Sequence, residues 1–236
     1  MLAVNKLSDI EPYSKKWFDD RLGRMTSSRI YCICSPNGIG EGGMTYIRNK
    51  ASERITGIST DKNIITEATD FGIKNEPLSI KHWKVKNNVF RITEDVHIVH
   101  DDIFASTPDA LAFFDEKLLW TEDEQYLNCC TVESKSYMTP SEHMKHIDCE
   151  TPEDIKKINP QLYWQVISQI YWADVMKGYA IFFNPTFPEN NYYHSGQVEF
   201  RRVNLKKDFD LFKDRTNEAT EIYNNILNKK HESKIL

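Results

Sequence analysis

Ser106-Thr107-Pro108-Asp109-Ala110-Leu111 and, further along the chain, Thr131-Val132-Glu133-Ser134-Lys135 carry a Pro-Asp … Glu-x-Lys pattern among apolar, strand-like neighbours. Glu133 and Lys135 are two residues apart, so on a strand both project from the same face. Two carboxylates and an ammonium are the groups that phosphodiester hydrolysis at neutral pH requires. The carboxylates are hard ligands for a magnesium-like ion, and the cation holds and polarises the attacking water. Glu133 would ligate the metal while Lys135 reaches the water beside it. The same residues also fit the charged face of a solvated strand, so the rest of the chain decides between the two.

The chain has 236 residues, 40% of them hydrophobic and 12% aromatic, enough to bury a substantial core. Neither a linker-like stretch, a fixed-period repeat nor a low-complexity segment divides it, which points to one domain over residues 1–236. Ser35–Gly43 and Asn184–Asn191 read as surface loops. No apolar run reaches the roughly 18 residues of a membrane span, and the first residues lack a secretory signal. A cytoplasmic protein is therefore expected, its five cysteines reduced and structural, since none has paired Cys-x-x-Cys spacing. A net charge of −5 argues against a protein that coats DNA by bulk charge. It leaves room for an acidic metal site beside a local basic groove. The seven histidines show no ligand spacing, and His143 with His146 reads as part of an exposed helix; the glycines of 38–43 lack the Gly-Lys-Ser/Thr ending of a phosphate loop.

Hydrophobic spacing predicts helices over Pro12–Leu22, from the Thr26-Ser27-Ser28 cap to about Cys34, over Met44–Thr56 and over Thr66 to about Val85. Pro77 lies inside the last of these, where it removes a backbone hydrogen bond; a bend there would turn Glu76 toward a site. Strands are predicted at Val89–Thr93, Val96–His100, Ala110–Phe114 and Tyr126–Ser136, forming a mostly antiparallel sheet. Asp115-Glu116-Lys117 reads as the hairpin turn between the last two, and Thr121-Glu122-Asp123-Glu124 as solvated loop. Asn159 and Pro160 mark the start of a helix to Lys177, closed by Gly178. Gln165, Gln169 and Trp172 share one face of it, Gln169 and Trp172 being read as packing or DNA-side surface. Strands at Tyr179–Phe183 and Val198–Leu205 and a helix over Asp208–Asn228 complete the pattern.

Five short motifs in this order resemble the lambda-type phage exonucleases, the YqaJ-like viral recombinase group of the PD-(D/E)xK nuclease superfamily. They are Trp17-Phe18-x-x-Arg21-Leu22-Gly23-x-Met25-Thr26-x-Ser28, Gly72-x-x-x-Glu76-Pro77, Thr107-Pro108-Asp109, Glu133-Ser134-Lys135 and Tyr163-Trp164-Gln165-Val166. The resemblance implies a restriction-endonuclease-like α/β core, a central mixed sheet flanked by helices. By the same resemblance, Asp109, Glu133 and the Ser134 backbone carbonyl would bind Mg2+ or Mn2+. Lys135 would position the water, Glu76 would serve the water or a second metal, and Gln165 would orient groups at the site. Arg21, with the Ser28 and Thr107 hydroxyls, would take a DNA 5′-phosphate. The implied activity is a metal-dependent 5′-to-3′ exonuclease acting on double-stranded DNA ends, assembled as a homotrimer and working beside a single-strand annealing protein, with no membrane association.

Two departures from the family pattern stand out. The interval between Asp109 and Glu133 is longer than in compact members, and Ser141 stands where the family can place an arginine, with Lys145 as one substitute cation. Read without the family, Arg21 fits a helix-end cation, Glu76 a solvated helix residue and Gln165 a core-edge amide bonded to backbone. Two other functions stay open: a site-specific endonuclease or junction resolvase of the same superfamily, and a non-catalytic DNA-end-binding recombination scaffold.

Overall fold

The computed structural model describes residues 14–61, 66–94, 96–115 and 128–232. Its centre is the strand β6 (Cys129–Lys135), in which Cys129–Ser134 are all buried. A five-stranded sheet surrounds it in the order β2-β5-β6-β7-β8, with β2 at Arg91–Glu94, β5 at Ala110–Phe113, β7 at Lys177–Phe183 and β8 at Ser195–Arg201. Only the β6–β7 pair is parallel. The sheet is therefore mixed and flanked by helices, as the resemblance implies.

Each face of this sheet is covered by one main helix. Helix α3 (Glu67–Lys86) presents Ile80 and Trp83 to Ala110, Ala112, Cys130, Val132, Tyr179 and Ile181. On the other face lies α6 (Pro160–Trp172), whose start is fixed by Asn159 accepting the Leu162 N–H and by Pro160 in the first turn. Ten of the thirteen residues of α6 are buried, so it is enclosed all round instead of carrying one apolar stripe. Beyond it stand α2 (Glu41–Thr56), α7 (Lys206–Glu232) and a second sheet in the order β1-β4-β3, with β1 at Met25–Thr26, β3 at Ile98–His100 and β4 at Phe104–Ser106. The shorter helices are α1 (Lys15–Arg21), α4 (Pro140–Ile147) and α5 (Pro152–Ile158). Among the described residues, no helix is long and apolar enough to cross a membrane, and all five cysteines are free thiols.

Several expected elements change. The strand expected at Val96–His100 leaves the main sheet and pairs with β4, which in turn pairs with β1 in parallel; strands of two or three residues are too short to show an alternating pattern. The helix expected through Cys34 is a 3-10 turn at Ser27–Cys32 that follows β1. Helix α2 starts three residues before Met44, inside the glycine-rich stretch. Helix α6 ends at Trp172, and Asp174 adopts a left-handed conformation (φ 51°) in the turn to β7. Gly178 therefore lies in β7, not at a helix end. Helix α4 was not anticipated as a buried element: His143 and His146 are fully enclosed. His143 donates from Nε2 to the Tyr193 carbonyl and His146 from Nδ1 to the Glu142 carbonyl, both at 2.9 Å, while the His143 Nδ1 is buried without a hydrogen-bond partner among the described residues. Pro12, Glu116, Lys117, Thr121–Glu124 and Tyr126 lie outside the described residues, so the start of the first helix, the hairpin turn and the acidic loop do too.

Gly178 is needed for close approach of α6 to the sheet. A Cβ there would stand 2.4 Å from Thr131 Oγ1 and 2.8 Å from Ile170 Cγ1. Gly178→Ala is expected to destabilise the fold by about 1–3 kcal/mol, the usual penalty of overpacking, in urea unfolding; stability equal to wild type would contradict this packing.

Candidate active site

The antiparallel register between β5 and β6 sets Ala110 against Val132. Asp109, one residue ahead of β5, is thereby brought to the β6 residues that follow Val132, and its Oδ2 accepts the Ser134 N–H at 2.6 Å. Glu133 projects from the α6 face of the sheet and is 1% exposed. A buried carboxylate is costly unless donors surround it, and three are present. Lys135 Nζ and Gln165 Nε2 (2.6 Å) donate to Oε1, and Gln169 Nε2 donates to Oε2. Gln165 and Gln169 are one helical turn apart, so a single face of α6 brackets the carboxylate from both oxygens. Ser134 points the other way, and its hydroxyl donates to Ser79 Oγ of α3 at 2.7 Å.

A cleft of about 500 Å³ opens at this end of β6, lined by Gly72 and Glu76 of α3 and by Ser134, Lys135 and Ser136. Helix α3 runs unbroken through Pro77, and Glu76 is near enough to Asp109 to act on its titration. Burial, then the like charges of Glu133 and Glu76, push the Asp109 carboxyl well above the usual range; Lys135 and the Ser134 N–H only partly oppose them. Burial works against the charged form of Lys135, but the carboxylates of Glu133 and Asp109 outweigh it and raise the ammonium pKa. Lys135 is therefore a fixed cation at neutral pH.

Among the described residues, no group of three or more His, Cys, Asp or Glu side chains could hold a metal ion. Of the residues expected to hold a metal, Asp109 and Glu133 are brought to this end of β6, bonded to the Ser134 N–H and to Lys135, and Glu76 lines the cleft from α3. A cation there would offset the like charges of Glu133 and Glu76 that, after burial, raise the Asp109 carboxyl.

The residues proposed for a 5′-phosphate are brought into one region by the small sheet. Thr107 directly follows β4, and Arg21 at the end of α1 donates to Thr107 Oγ1 at 3.0 Å while its guanidinium lies 4.1 Å over the Trp17 ring. Parallel pairing of Thr26 with Ala105 carries Ser28 alongside, its hydroxyl 3.3 Å from Thr26 Oγ1. The turn after Arg21 is fastened by buried Glu53, which accepts the Gly23 N–H at 2.9 Å. Ser141 is exposed on α4, and Lys145 pairs with Glu142 at 3.0 Å on the surface of that helix.

Gln169 and Glu53 were missed as parts of these sites. Gln169 had a usable signal, its position one turn from Gln165 in an otherwise apolar helix. Glu53 had none, because the partner that ties it to this region, the Gly23 N–H, lies 30 residues away in sequence. Trp172 is packing, as read, stacked on Phe104 at 5.2 Å between ring centroids.

Residues 16–176 match the model of the YqaJ-like viral recombinase domain. No curated protein matches the chain. Among solved structures, the alkaline exonuclease LHK-Exo from Laribacter hongkongensis is similar at 17% identity and a TM-score of 0.65, over 94% of this chain and 100% of that one. Its complex with dAMP gives 18% identity and the same TM-score and coverage. A phage-related exonuclease from Haemophilus somnus 129PT gives 13% identity and a TM-score of 0.62, over 88% and 96%. At such identities the likeness establishes the fold.

Two stability measurements check this geometry. A hydrogen bond to a charged group contributes about 1.5–3 kcal/mol, so Gln169→Leu is expected to lose that order of stability in urea unfolding. A loss below about 0.5 kcal/mol would exclude the bond to Glu133 as a significant contribution. Asp109 is raised in the folded state above the roughly 3.9 of an unfolded Asp. Its contribution is therefore complete below about pH 4 and lost as pH rises through the folded value. Asp109→Asn keeps an acceptor for the Ser134 N–H, and in EDTA its Tm relative to wild type is expected to rise between about pH 4 and pH 8. A difference that stays constant over that range would contradict the shift.

Proposed function

The chain belongs to the family of YqaJ-like viral recombinase domains, and from that premise we propose that it is a metal-dependent deoxyribonuclease that resects linear duplex DNA in the 5′-to-3′ direction. The single observation that carries this reading is the convergence of Asp109, Glu133 and Lys135 at the end of β6, with Glu133 held by two glutamines of α6. A charged strand face exposed to solvent would need no such enclosure. The structurally similar LHK-Exo is an alkaline exonuclease, and one of its structures holds dAMP.

Asp109, Glu133 and the Ser134 carbonyl would hold Mg2+ or Mn2+, which supplies charge neutralisation at the scissile phosphate and eases deprotonation of water. Lys135, kept protonated by its carboxylate neighbours, serves as a donor that orients the attacking water and meets the charge developing on phosphate oxygens. It is not the proton acceptor. Glu76, on the α3 wall of the cleft, would take that proton or serve a second metal. Gln165 and Gln169 fix the Glu133 carboxylate so that its oxygens keep one orientation through the reaction. Arg21, Thr107 and Ser28 would receive a 5′-phosphate through a forked guanidinium and two hydroxyls. Each cleavage exposes a new 5′-phosphate for that pocket. A homotrimer on DNA and work beside a single-strand annealing protein, in the cytoplasm of a host cell, belong to the same proposal.

The experiment compares linear 5′-phosphorylated, linear 5′-hydroxyl and closed circular duplex DNA, each with magnesium and with EDTA. Magnesium-dependent loss of linear DNA, fastest with a 5′-phosphate, and survival of circles are expected. Asp109→Ala, Glu133→Ala and Lys135→Ala are each expected to lower the rate by about 100-fold or more, the scale of deleting one electrostatic stabiliser. Cleavage of circles would favour an endonuclease or junction resolvase. Binding to ends without any metal-dependent product would favour a scaffold, and full activity in Lys135→Ala would exclude this mechanism.

A further inference from the structure

A second groove, of about 1050 Å³, runs along the C-terminal half of α3, the helix that carries Glu76 to the cleft. One wall is α3 itself, with Lys81 and Lys86 exposed on it. Neither lysine is paired with a carboxylate among the described residues, whereas Lys74 of the same helix is bound by Asp70. The facing wall is built from the end of α4, the loop after β7 and the start of β8, and it offers Tyr192, 65% exposed, with Asn190 and Gln197. Its acids, Glu150 and Glu189, also stand on this wall and not on α3. His194 lines the groove while 7% exposed, and its Nδ1 has no hydrogen-bond partner among the described residues.

The two walls thus have different chemistry. Cations on one side suit phosphates. An exposed aromatic ring, side-chain amides and carboxylates on the other suit a base, by stacking and by accepting from its ring N–H or amino groups. The volume stands at the upper end of the roughly 300–1,000 Å³ of drug-sized pockets, so more than one nucleotide fits. From Glu76 to Lys86 is ten residues of helix, about 15 Å at 1.5 Å per residue, which a few nucleotides of extended strand would span. Resting on the reading of this chain as a DNA-processing nuclease, we propose that the groove binds a single-stranded segment of the DNA beside the catalytic cleft. Phosphates would lie against Lys81 and Lys86 and a base would stack on Tyr192.

Binding of a fluorescein-labelled oligothymidylate to the full chain, read by anisotropy in EDTA at fixed salt, tests this independently of cleavage. Lys81→Glu/Lys86→Glu is expected to weaken binding by tenfold or more. Tyr192→Ala is expected to weaken it by roughly fivefold or more, and Tyr192→Phe to keep it. Lys207→Glu/Lys213→Glu, the same charge change on exposed positions of α7, controls for bulk charge and is expected to bind within about twofold of wild type. Circular dichroism confirms folding of each variant. Wild-type affinity in the α3 and Tyr192 variants, an equal loss in the α7 control, or no binding by wild type would overturn the proposal. Magnesium-dependent degradation of linear duplex by wild type is measured in parallel. If that is absent while the groove variants still lose binding, the nuclease reading fails and the groove stands. If degradation is present and the variants bind normally, the groove alone fails.

Discussion

A carboxylate buried at the centre of a sheet has to be met by donors, and Glu133 imposes that constraint on everything around it. Its two oxygens are taken by Lys135 and by two amides from successive turns of α6. Removing one partner of a buried charged pair costs about 3–5 kcal/mol, so sheet, helix and site cannot be varied separately. This explains why α6 approaches β6 and β7 so closely that Gly178 has no room for a side chain. It also explains why a helix of largely apolar residues carries two buried glutamines.

The opposite face of the sheet has a different task. Helix α3 packs Ile80 and Trp83 on the strands, meets Ser134 through Ser79, and ends one wall of the catalytic cleft with Glu76. The result is a candidate site whose carboxylates come from the sheet, whose orienting amides come from α6 and whose outer wall comes from α3. The proposed 5′-phosphate region is separate again, built by the small sheet that draws Arg21 to Thr107 only two residues ahead of Asp109. That short covalent distance would tie DNA-end binding to cleavage without a long lever.

Much of this was legible in the chain because the chemistry is local in sequence. Glu133 and Lys135 share a strand face by their spacing, and Asp109 sits at the start of the neighbouring strand, so a hairpin suffices to join them. Asn159-Pro160 and Gly57 marked helix ends through backbone preferences that act within a turn. What escaped reading depends on long-range packing. β1 and β4 are too short to carry a period, and they exist as strands because they find each other. Ala173, Val175 and Met176 prolong the apolar pattern of α6 past its end at Trp172, so the first glycine, Gly178, reads as the helix stop although it lies in β7. His143 and His146 look like surface residues in sequence, yet each is enclosed in the fold and bonded to a backbone carbonyl. Gln169 reads as packing or DNA-side surface: its place one turn from Gln165 is visible, but not that Glu133 presents a second oxygen to it.

The central claim, that Asp109 and Glu133 form a divalent-cation site at the end of β6, is tested most directly by Mn2+ binding followed by electron paramagnetic resonance, without DNA present. Wild-type protein is expected to bind Mn2+ and to release it to competing Mg2+, while Glu133→Gln, which keeps the shape of the buried group and removes its charge, is expected to lose the binding. Equal Mn2+ binding by wild type and Glu133→Gln, or no binding by wild type, would contradict it.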